Sequence, residues 1–547
     1  MRTHQIHNPV LPGFHPDPSI LRVGEDYYVA TSTFEWHPGV RIHHSRDLVH
    51  FRAVGHALTR PSQLELAGNP RSGGVWAPCL SYADGLFYLV YTDVKAWGHG
   101  YCDAHNYLVT AARIDGPWSD PMYLNSSGFD PSLFHDDDGR KWLVNMVWDH
   151  RPGRNPFGGI ALQELRLPER RLIGSPRLIF KGSALGCTEG PHLYKHAGRY
   201  YLMVAEGGTG YDHAVTLARS TQLEGPYEAS PHGPLLSAKH EPELLLQKAG
   251  HASLVETPAG ELYLAHLCGR PRGAERRCTL GRETALQRAR WSSDGWLVLD
   301  NDGHTRSPSP SVQVPAPQLA PQPFPAEPVR DDFDKKQLSS HFQTLRAPAD
   351  ASWLSLSERP GFLRLRGRES PQSLHRQSVV GRRIQAHFCR VQTLVEFEPR
   401  SFQQAAGLGC FYDDECFYLA QVTWDERAGK CLKLLGSERG KLIDLTPEPV
   451  LLGKKATSLR AELSGERFQF SYSEVAVGAR AASEMEEERF LSLGPELDLT
   501  LLSDEATSLG LGFTGAFATL FAYDLSGARA EADFDYLDYE ELPEKNG

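Results

Sequence analysis

The chain has 547 residues, more than one hydrophobic core supports, so two or three domains are expected. A net charge of −11 without a long basic run argues against a nucleic-acid or anionic-membrane partner, and no apolar run is long enough for a transmembrane helix. Residues 1–9 lack the apolar core of a secretory signal, and nine Cys without a Cys-x-x-Cys pair fit free thiols in a reducing cytoplasm.

The N-terminal part repeats a unit of roughly 55–60 residues, a length that suits a four-stranded propeller blade. Each unit opens on a short motif, runs apolar, turns at Gly or Asp, and continues into an aromatic-rich run. The first opens on His15-Pro16-Asp17-Pro18-Ser19 and leads to Tyr27-Tyr28-Val29. The second opens on Trp76-Ala77-Pro78 and leads to Phe87-Tyr88-Leu89. The third has Gly128-Phe129-Asp130-Pro131-Ser132 before Lys141-Trp142-Leu143-Val144, and the fourth has Cys187-Thr188-Glu189-Gly190-Pro191 before Arg199-Tyr200-Tyr201-Leu202. The fifth has Gly250-His251-Ala252 before Leu262-Tyr263-Leu264. Asp115-Gly116-Pro117-Trp118 and Glu224-Gly225-Pro226-Tyr227 echo each other as turns before outer strands.

Asp17, Asp130 and Glu189 share one register of this repeat, which places them around a common axis. Gathered carboxylates raise each other's pKa, so the arrangement suggests an acid/base site. A lone Asp-Pro-Ser is most often a turn or a cap. The shared register and the third acid favour the site.

The repeats fade after Trp296. A stretch from Pro308 to Pro328 holds eight prolines and reads as an extended connector. From Asp331 short strands resume, as in Val391-Gln392-Thr393-Leu394-Val395, and roughly 215 residues of this pattern suit a β-sandwich. The acidic residues 484–488 read as a solvated loop or strand edge. The fold class is all-β: a five-bladed β-propeller over residues 1–305, a Pro-rich linker over 306–328 and a C-terminal β-sandwich over 329–547.

These motifs resemble glycoside hydrolase family 43, most closely its β-xylosidases with a C-terminal sandwich. Besides the acid motifs, the resemblance rests on Gly74-Val75-Trp76-Ala77-Pro78, Leu280-Gly281-Arg282-Glu283-Thr284-Ala285, His341-Phe342-Gln343-Thr344-Leu345-Arg346 and Phe513-Thr514-Gly515-Ala516-Phe517. It spans nearly the whole chain. One departure is Cys79, where the family commonly has an acid after Trp-Ala-Pro.

The resemblance implies an inverting exo-acting glycosidase. Asp17 would be the general base, Glu189 the general acid, and Asp130 a third carboxylate that raises the acid's pKa. Asp17 and Glu189, from blades one and four, are expected across the axis with room for water. Arg282 would hold sugar hydroxyls; its alternative is a surface salt bridge with Glu283. Phe34, Trp76 and Trp148 are candidates for the sugar platform or for propeller core. Strand alternation would turn Phe129 away from the site. Phe517 would wall the +1 side, leaving a pocket for end-on attack. His251 takes the axial register of the fifth unit. It is placed with the substrate-binding residues under the site, its alternative being a bonded core histidine, with a central Ca²⁺ beside it left open and no metal ligand assigned.

The implied substrate is a short β-1,4-xylo-oligosaccharide, with α-L-arabinofuranosides as a possible second class. No cofactor is required, and a homo-oligomer in the cytoplasm is expected. Two other readings are carried. One is a retaining, fructosidase-like five-bladed hydrolase, from whose Asn-Asp-Pro-Asn motif the first acid motif departs. The other is a non-catalytic sugar-binding propeller, which would not need three carboxylates.

Overall fold

A computed structural model describes residues 5–300, 307–453, 456–475 and 489–544. The acidic residues 484–488 lie outside them. Five antiparallel sheets of four or five strands follow one another in chain order. Their first strands are Ser19–Val23, Cys79–Ala83, Ser132–His135, Glu189–His196 and Gln247–Glu256. Each of these touches the next, and the last returns to the first, closing a ring of five blades. The aromatic runs supply the second strands, such as Asp26–Thr31 and Arg199–Glu206.

Local chemistry sets the register. The two-residue turns Asp84-Gly85 and Ala197-Gly198 have positive φ at both positions, the type I′ geometry that matches strand twist. Side chains from facing blades fill the gaps between them. One layer joins Val40, Ile42 and Val75 with Leu89 and Tyr91, and another joins Val144, Ile160 and Leu162 with Leu202 and Val204.

The second region is a sandwich of an eight-stranded and a nine-stranded sheet around a large apolar core that includes Trp353, Leu408, Leu459 and Phe534. Its larger sheet ends on a propeller strand: Trp36–His37 pairs with Phe342–Leu345 through Leu345↔Trp36 and Thr344↔His37. The Pro-rich stretch runs extended but does not hang free. Gln313–Pro315 pairs with Gln5–His7, and Val314, Ala316 and Leu319 pack with Ile6 and Tyr263.

The two regions are thus sewn together by backbone bonds. At Gly281 (φ 73°) a Cβ would collide with the Thr514 carbonyl, so only glycine permits this approach of propeller and sandwich backbones. Among the described residues no helix is long and apolar enough to cross a membrane.

Candidate active site

The three acids stand at one end of their inner strands. Asp17 and Asp130 each precede Pro-Ser and each have φ of 53°, and His251 has φ of 43° at the matching place in blade five. Left-handed backbone at non-glycine residues costs free energy, and structures hold it where a side chain must be aimed. Here it turns all three side chains into one cavity of about 470 Å³, which Glu189 also lines.

The carboxylates meet different neighbours. Ser32 Oγ donates to Asp17 Oδ2 at 2.6 Å, and Arg282 Nη1 donates to Asp17 Oδ1 at 3.0 Å. His251 Nδ1 lies 3.8 Å from the same oxygen. Burial by itself would raise the Asp17 pKa, but Arg282, His251 and the Ser32 hydrogen bond outweigh it and hold the carboxyl below its usual value. Asp130 accepts only from the backbone N–H of Gly190, at 3.0 Å. Burial, then the charges of Glu189 and Asp17, push Asp130 well up. Glu189 is pushed up by burial and by Asp17, with Arg282 offsetting part of the rise. The site therefore holds one stabilised carboxylate beside two carboxyls that resist ionisation.

Arg282 is 4 % exposed and reaches three partners. Besides Asp17, it donates to Thr209 Oγ1 at 3.1 Å and, through Nη2, to the Phe513 carbonyl at 3.0 Å. Its guanidinium carbon lies 5.3 Å from the Phe34 ring centre and 5.4 Å from that of Phe513. The alternative partner Glu283 is engaged elsewhere, by Arg270 at 2.7 Å.

Aromatic side chains make the walls. Phe34, Trp76 and Trp148 line the cavity. Trp76 Nε1 donates to the Ser72 carbonyl at 2.9 Å, and its ring meets Phe129 edge-on at 4.9 Å. Phe129 also lines the cavity, contrary to the alternation argument. The left-handed turn at Asp130 breaks the strand's alternation, so neighbouring side chains need not face opposite ways.

Phe517 is a correction. It is fully buried and stacked on Trp36, with centroids 3.8 Å apart, and it does not line the cavity. It opens the strand Phe517–Asp524, where pairing with Arg383 and Phe411 fixes it inside the sheet. The loop before that strand holds the wall instead, through Leu511 and Phe513. Phe513 N donates to Ser72 Oγ at 3.1 Å, and its ring packs against Trp97 at 4.8 Å. Buried Lys248, beside Glu505 at 2.5 Å and Asp504 at 3.5 Å, ties the preceding segment to blade five.

Trp97, Phe157, Cys102, Cys187 and Thr209 line the cavity without having been singled out from sequence. All but Cys187, which opens the fourth acid motif, sit on strand ends or loops outside the repeated motif. Thr209 had one usable signal, the run Gly207-Gly208-Thr209-Gly210 closing blade four's second strand.

Around the axial His251 the described side chains offer mostly nitrogen and sulfur donors. Ca²⁺ needs six to eight oxygen ligands. Below His251 lie His213 and His192, both held neutral by burial with pKa values near 3, and Cys79 with its Sγ 4.0 Å from His192 Nδ1. Among the described residues no group of three or more His, Cys, Asp or Glu is arranged to hold a metal.

A propeller with three carboxyls and an arginine at the mouth of its axis defines a class, the glycoside hydrolases. The chain belongs to one family of it: residues 6–297 match the model of glycosyl hydrolases family 43, and residues 330–540 match the beta xylosidase C-terminal concanavalin A-like domain. The crystal structure of a xylan beta-1,4-xylosidase from Bacillus halodurans C-125 is 55 % identical, with a TM-score of 0.94, covering 98 % of this chain and 100 % of that one. Xylosidase/arabinosidase 43B of Humicola insolens is 47 % identical over 98 % of this chain and 97 % of its own length. A xylan 1,3-beta-xylosidase of a Vibrio species is 44 % identical over 98 % and 99 %.

Proposed function

We propose that the chain is an inverting, exo-acting β-xylosidase that releases D-xylose from the non-reducing end of xylobiose and short β-1,4-xylo-oligosaccharides, with α-L-arabinofuranosides as a second substrate class. The observation that carries this is the split in charge state within one cavity: Asp17 is stabilised as a carboxylate, while Glu189 and Asp130 resist ionisation.

Inversion needs that split. Ionised Asp17 takes a proton from water as the water oxygen attacks the anomeric carbon. Protonated Glu189 gives its proton to the glycosidic oxygen as that bond breaks, and positive charge on the ring passes through an oxocarbenium-like state. Two C–O bonds exchange, and the fresh xylose is the α-anomer. The two residues recover their protonation states by exchange with solvent. Asp130 bonds the Gly190 N–H, which fixes the backbone next to Glu189, and only as it begins to lose its own proton does its charge oppose ionisation of the acid. Arg282, held by three oxygen partners, keeps Asp17 ionised and offers its remaining N–H groups to vicinal hydroxyls. The Phe34, Trp76 and Trp148 faces suit the apolar face of a pyranose.

Exo action is supported by the Leu511–Phe513 loop, which brings the sandwich onto the cavity rim. Specificity for a pentose requires the aromatic walls to exclude an exocyclic hydroxymethyl group. The relatives' names put the β-1,4 linkage on one side and β-1,3 on another. The nine unpaired cysteines support a reducing compartment.

The deciding experiment is proton NMR of the first product from xylobiose. The α-anomer is expected before mutarotation. A first-formed β-anomer would replace this reading with retaining, fructosidase-like chemistry, and no turnover would leave a sugar-binding propeller. Parallel assays on 1,3- and 1,4-linked xylobiose and on an arabinofuranoside rank the substrates, with the 1,4 linkage expected first.

A further inference from the structure

His15, two residues before Asp17, belongs to a second group of buried ionisable side chains that hydrolysis does not use. Arg41 and His43 alternate onto one face of the blade-one strand Gly39–Ser45, and Arg41 pairs across the sheet with His56. The His15 and His43 rings meet edge-on at 4.8 Å. His15, Arg41 and His43 form the floor of a cavity of about 360 Å³, with Arg52, Phe324 and Gln385 among its walls. Behind this floor, on the sandwich side, Arg383 lies against the Phe14 and Phe517 rings, its Nε donating to the Phe14 carbonyl at 2.7 Å.

These groups are deeply buried: His15 is 2 %, Arg41 5 %, His43 5 % and Arg383 2 % exposed. They are also short of partners. Arg383 Nη1 and Nη2, Arg41 Nε, His43 Nδ1 and His56 Nε2 find no hydrogen bond among the described residues. Glu327 is the one carboxylate among the residues lining the cavity; its Oε2 lies 3.1 Å from His341 Nδ1, and its charge also favours ionised Arg41. Arg383 has no such partner, since the charge acting on it is that of Arg41, and a buried guanidinium without a counter-charge is costly. Burial first, then neighbouring groups including Arg41 and Arg383, push both His15 and His43 well below their usual pKa. One carboxylate thus serves His341 and Arg41 while Arg383 adds a second buried positive charge.

The missing component is an anion. A guanidinium fork matches a tetrahedral oxyanion, and an imidazole N–H can add to it. We propose that this seam between blade one and the sandwich binds one inorganic tetrahedral oxyanion, phosphate or its sulfate analogue, on the Arg41 guanidinium with His43 as a further donor, the buried charge of Arg383 behind them adding to the attraction. The site touches the hydrolytic machinery through the backbone of His15. His15 N donates to the Arg282 carbonyl at 2.9 Å, and Thr284 Oγ1 donates to the His15 carbonyl at 2.5 Å. A bound oxyanion therefore braces the segment that leads to Asp17 and draws blade one toward the sandwich.

The test is calorimetric titration of the whole protein with inorganic phosphate, at fixed pH and ionic strength and with saturating xylose. One phosphate per chain is expected, with sulfate competing, a higher Tm on saturation, and affinity weakened by about tenfold or more in Arg41→Gln through loss of a charge-assisted pair. No saturable binding to the wild type overturns the proposal. So does equal binding by Arg41→Gln, or phosphate and xylose displacing each other, which would place the anion in the hydrolytic cavity. Should Arg41→Gln fail to fold, wild-type crystals soaked in selenate decide: an anomalous peak within hydrogen-bond reach of Arg41 and His43 is expected, and its absence there sinks the proposal.

Discussion

Asp17 and Asp130 are the same structural element used twice. Each precedes Pro-Ser, each heads the inner strand of its blade, and each has φ of 53°. Their chemistry is opposite. Around Asp17 stand Arg282, Ser32 and His251, and the carboxylate is stabilised. Around Asp130 stand the Gly190 N–H and two other carboxyls, and burial with their charges opposes its ionisation despite Arg282. Position in the repeat decides where a side chain points, and what the other blades bring to it decides its charge. Arg282 comes from blade five, one of the two blades with no acid at the repeated register, so a blade without an acid supplies the asymmetry.

The largest effect expected of breaking that asymmetry is at Asp17 itself. Asp17→Asn removes the base and should lower kcat by about 10⁴-fold on every substrate, at the upper end for general acid–base groups. Glu189→Gln should cost nearly as much on xylobiose yet far less on an aryl xyloside with a good leaving group, which needs little protonation. Equal losses for the two variants on both substrates would undo the assignment of base and acid.

Arg282→Gln makes the Asp17 environment resemble that of Asp130. Losing an adjacent cation raises a carboxyl's pKa, so Asp17 would be protonated at pH values where it is now ionised. The acid limb of the kcat/KM profile should climb by about 1–3 pH units. An acid limb that stays in place would show that Arg282 does not set the charge of Asp17.

Asp130→Asn probes the other side with a smaller change. Asn can still accept from Gly190 N–H, so the backbone beside Glu189 stays fixed, while the second carboxyl, which opposes the acid's ionisation once it begins to lose its own proton, disappears. Glu189 then ionises more readily, and the alkaline limb should fall by about one pH unit. An unmoved alkaline limb would separate Asp130 from the acid's electrostatics and leave it a purely geometric role.

The sequence showed the repeat, and with it the propeller, because aromatic second strands and recurring acids are local patterns. It showed Asp17, Asp130 and Glu189 for the same reason. Phe129 was misjudged because alternation assumes extended backbone, and the left-handed Asp130 departs from it. Phe513 and Phe517 belong to one motif, and choosing between them needed to know where the strand begins; Phe517 is its first residue and is locked in pairing. Trp97 and Thr209 lie off the repeated motif, where no periodicity marks them. The strand exchanges that join the regions, Trp36–His37 with Phe342–Leu345 and Gln5–His7 with Gln313–Pro315, link segments about 300 residues apart in sequence and leave no local trace.

That same motif supplies the smallest expected effect on activity, by separating the sandwich's part in the site from its part in the fold. The Phe513 ring stands on the rim against Trp97 and Trp76, while Phe517 fills a closed aromatic cluster with Phe14 and Trp36. Truncating a fully buried Phe to Ala costs about 3–5 kcal/mol in a packed core. Phe517→Ala should therefore lower Tm or yield before it alters the kinetics of the molecules that remain folded. Phe513 is only partly buried, so water refills part of the space its ring leaves and less is lost. Its carbonyl, which holds Arg282, is untouched by the substitution. Phe513→Ala should thus keep kcat on an aryl xyloside and raise KM for xylobiose by about tenfold, the equivalent of roughly 1.4 kcal/mol of lost contact. The contrast rests on which of the two phenylalanines moves KM and which moves Tm. If Phe513→Ala matched the wild type on xylobiose, the sandwich loop would be structural only, and the end-on pocket would have to be closed by propeller residues alone.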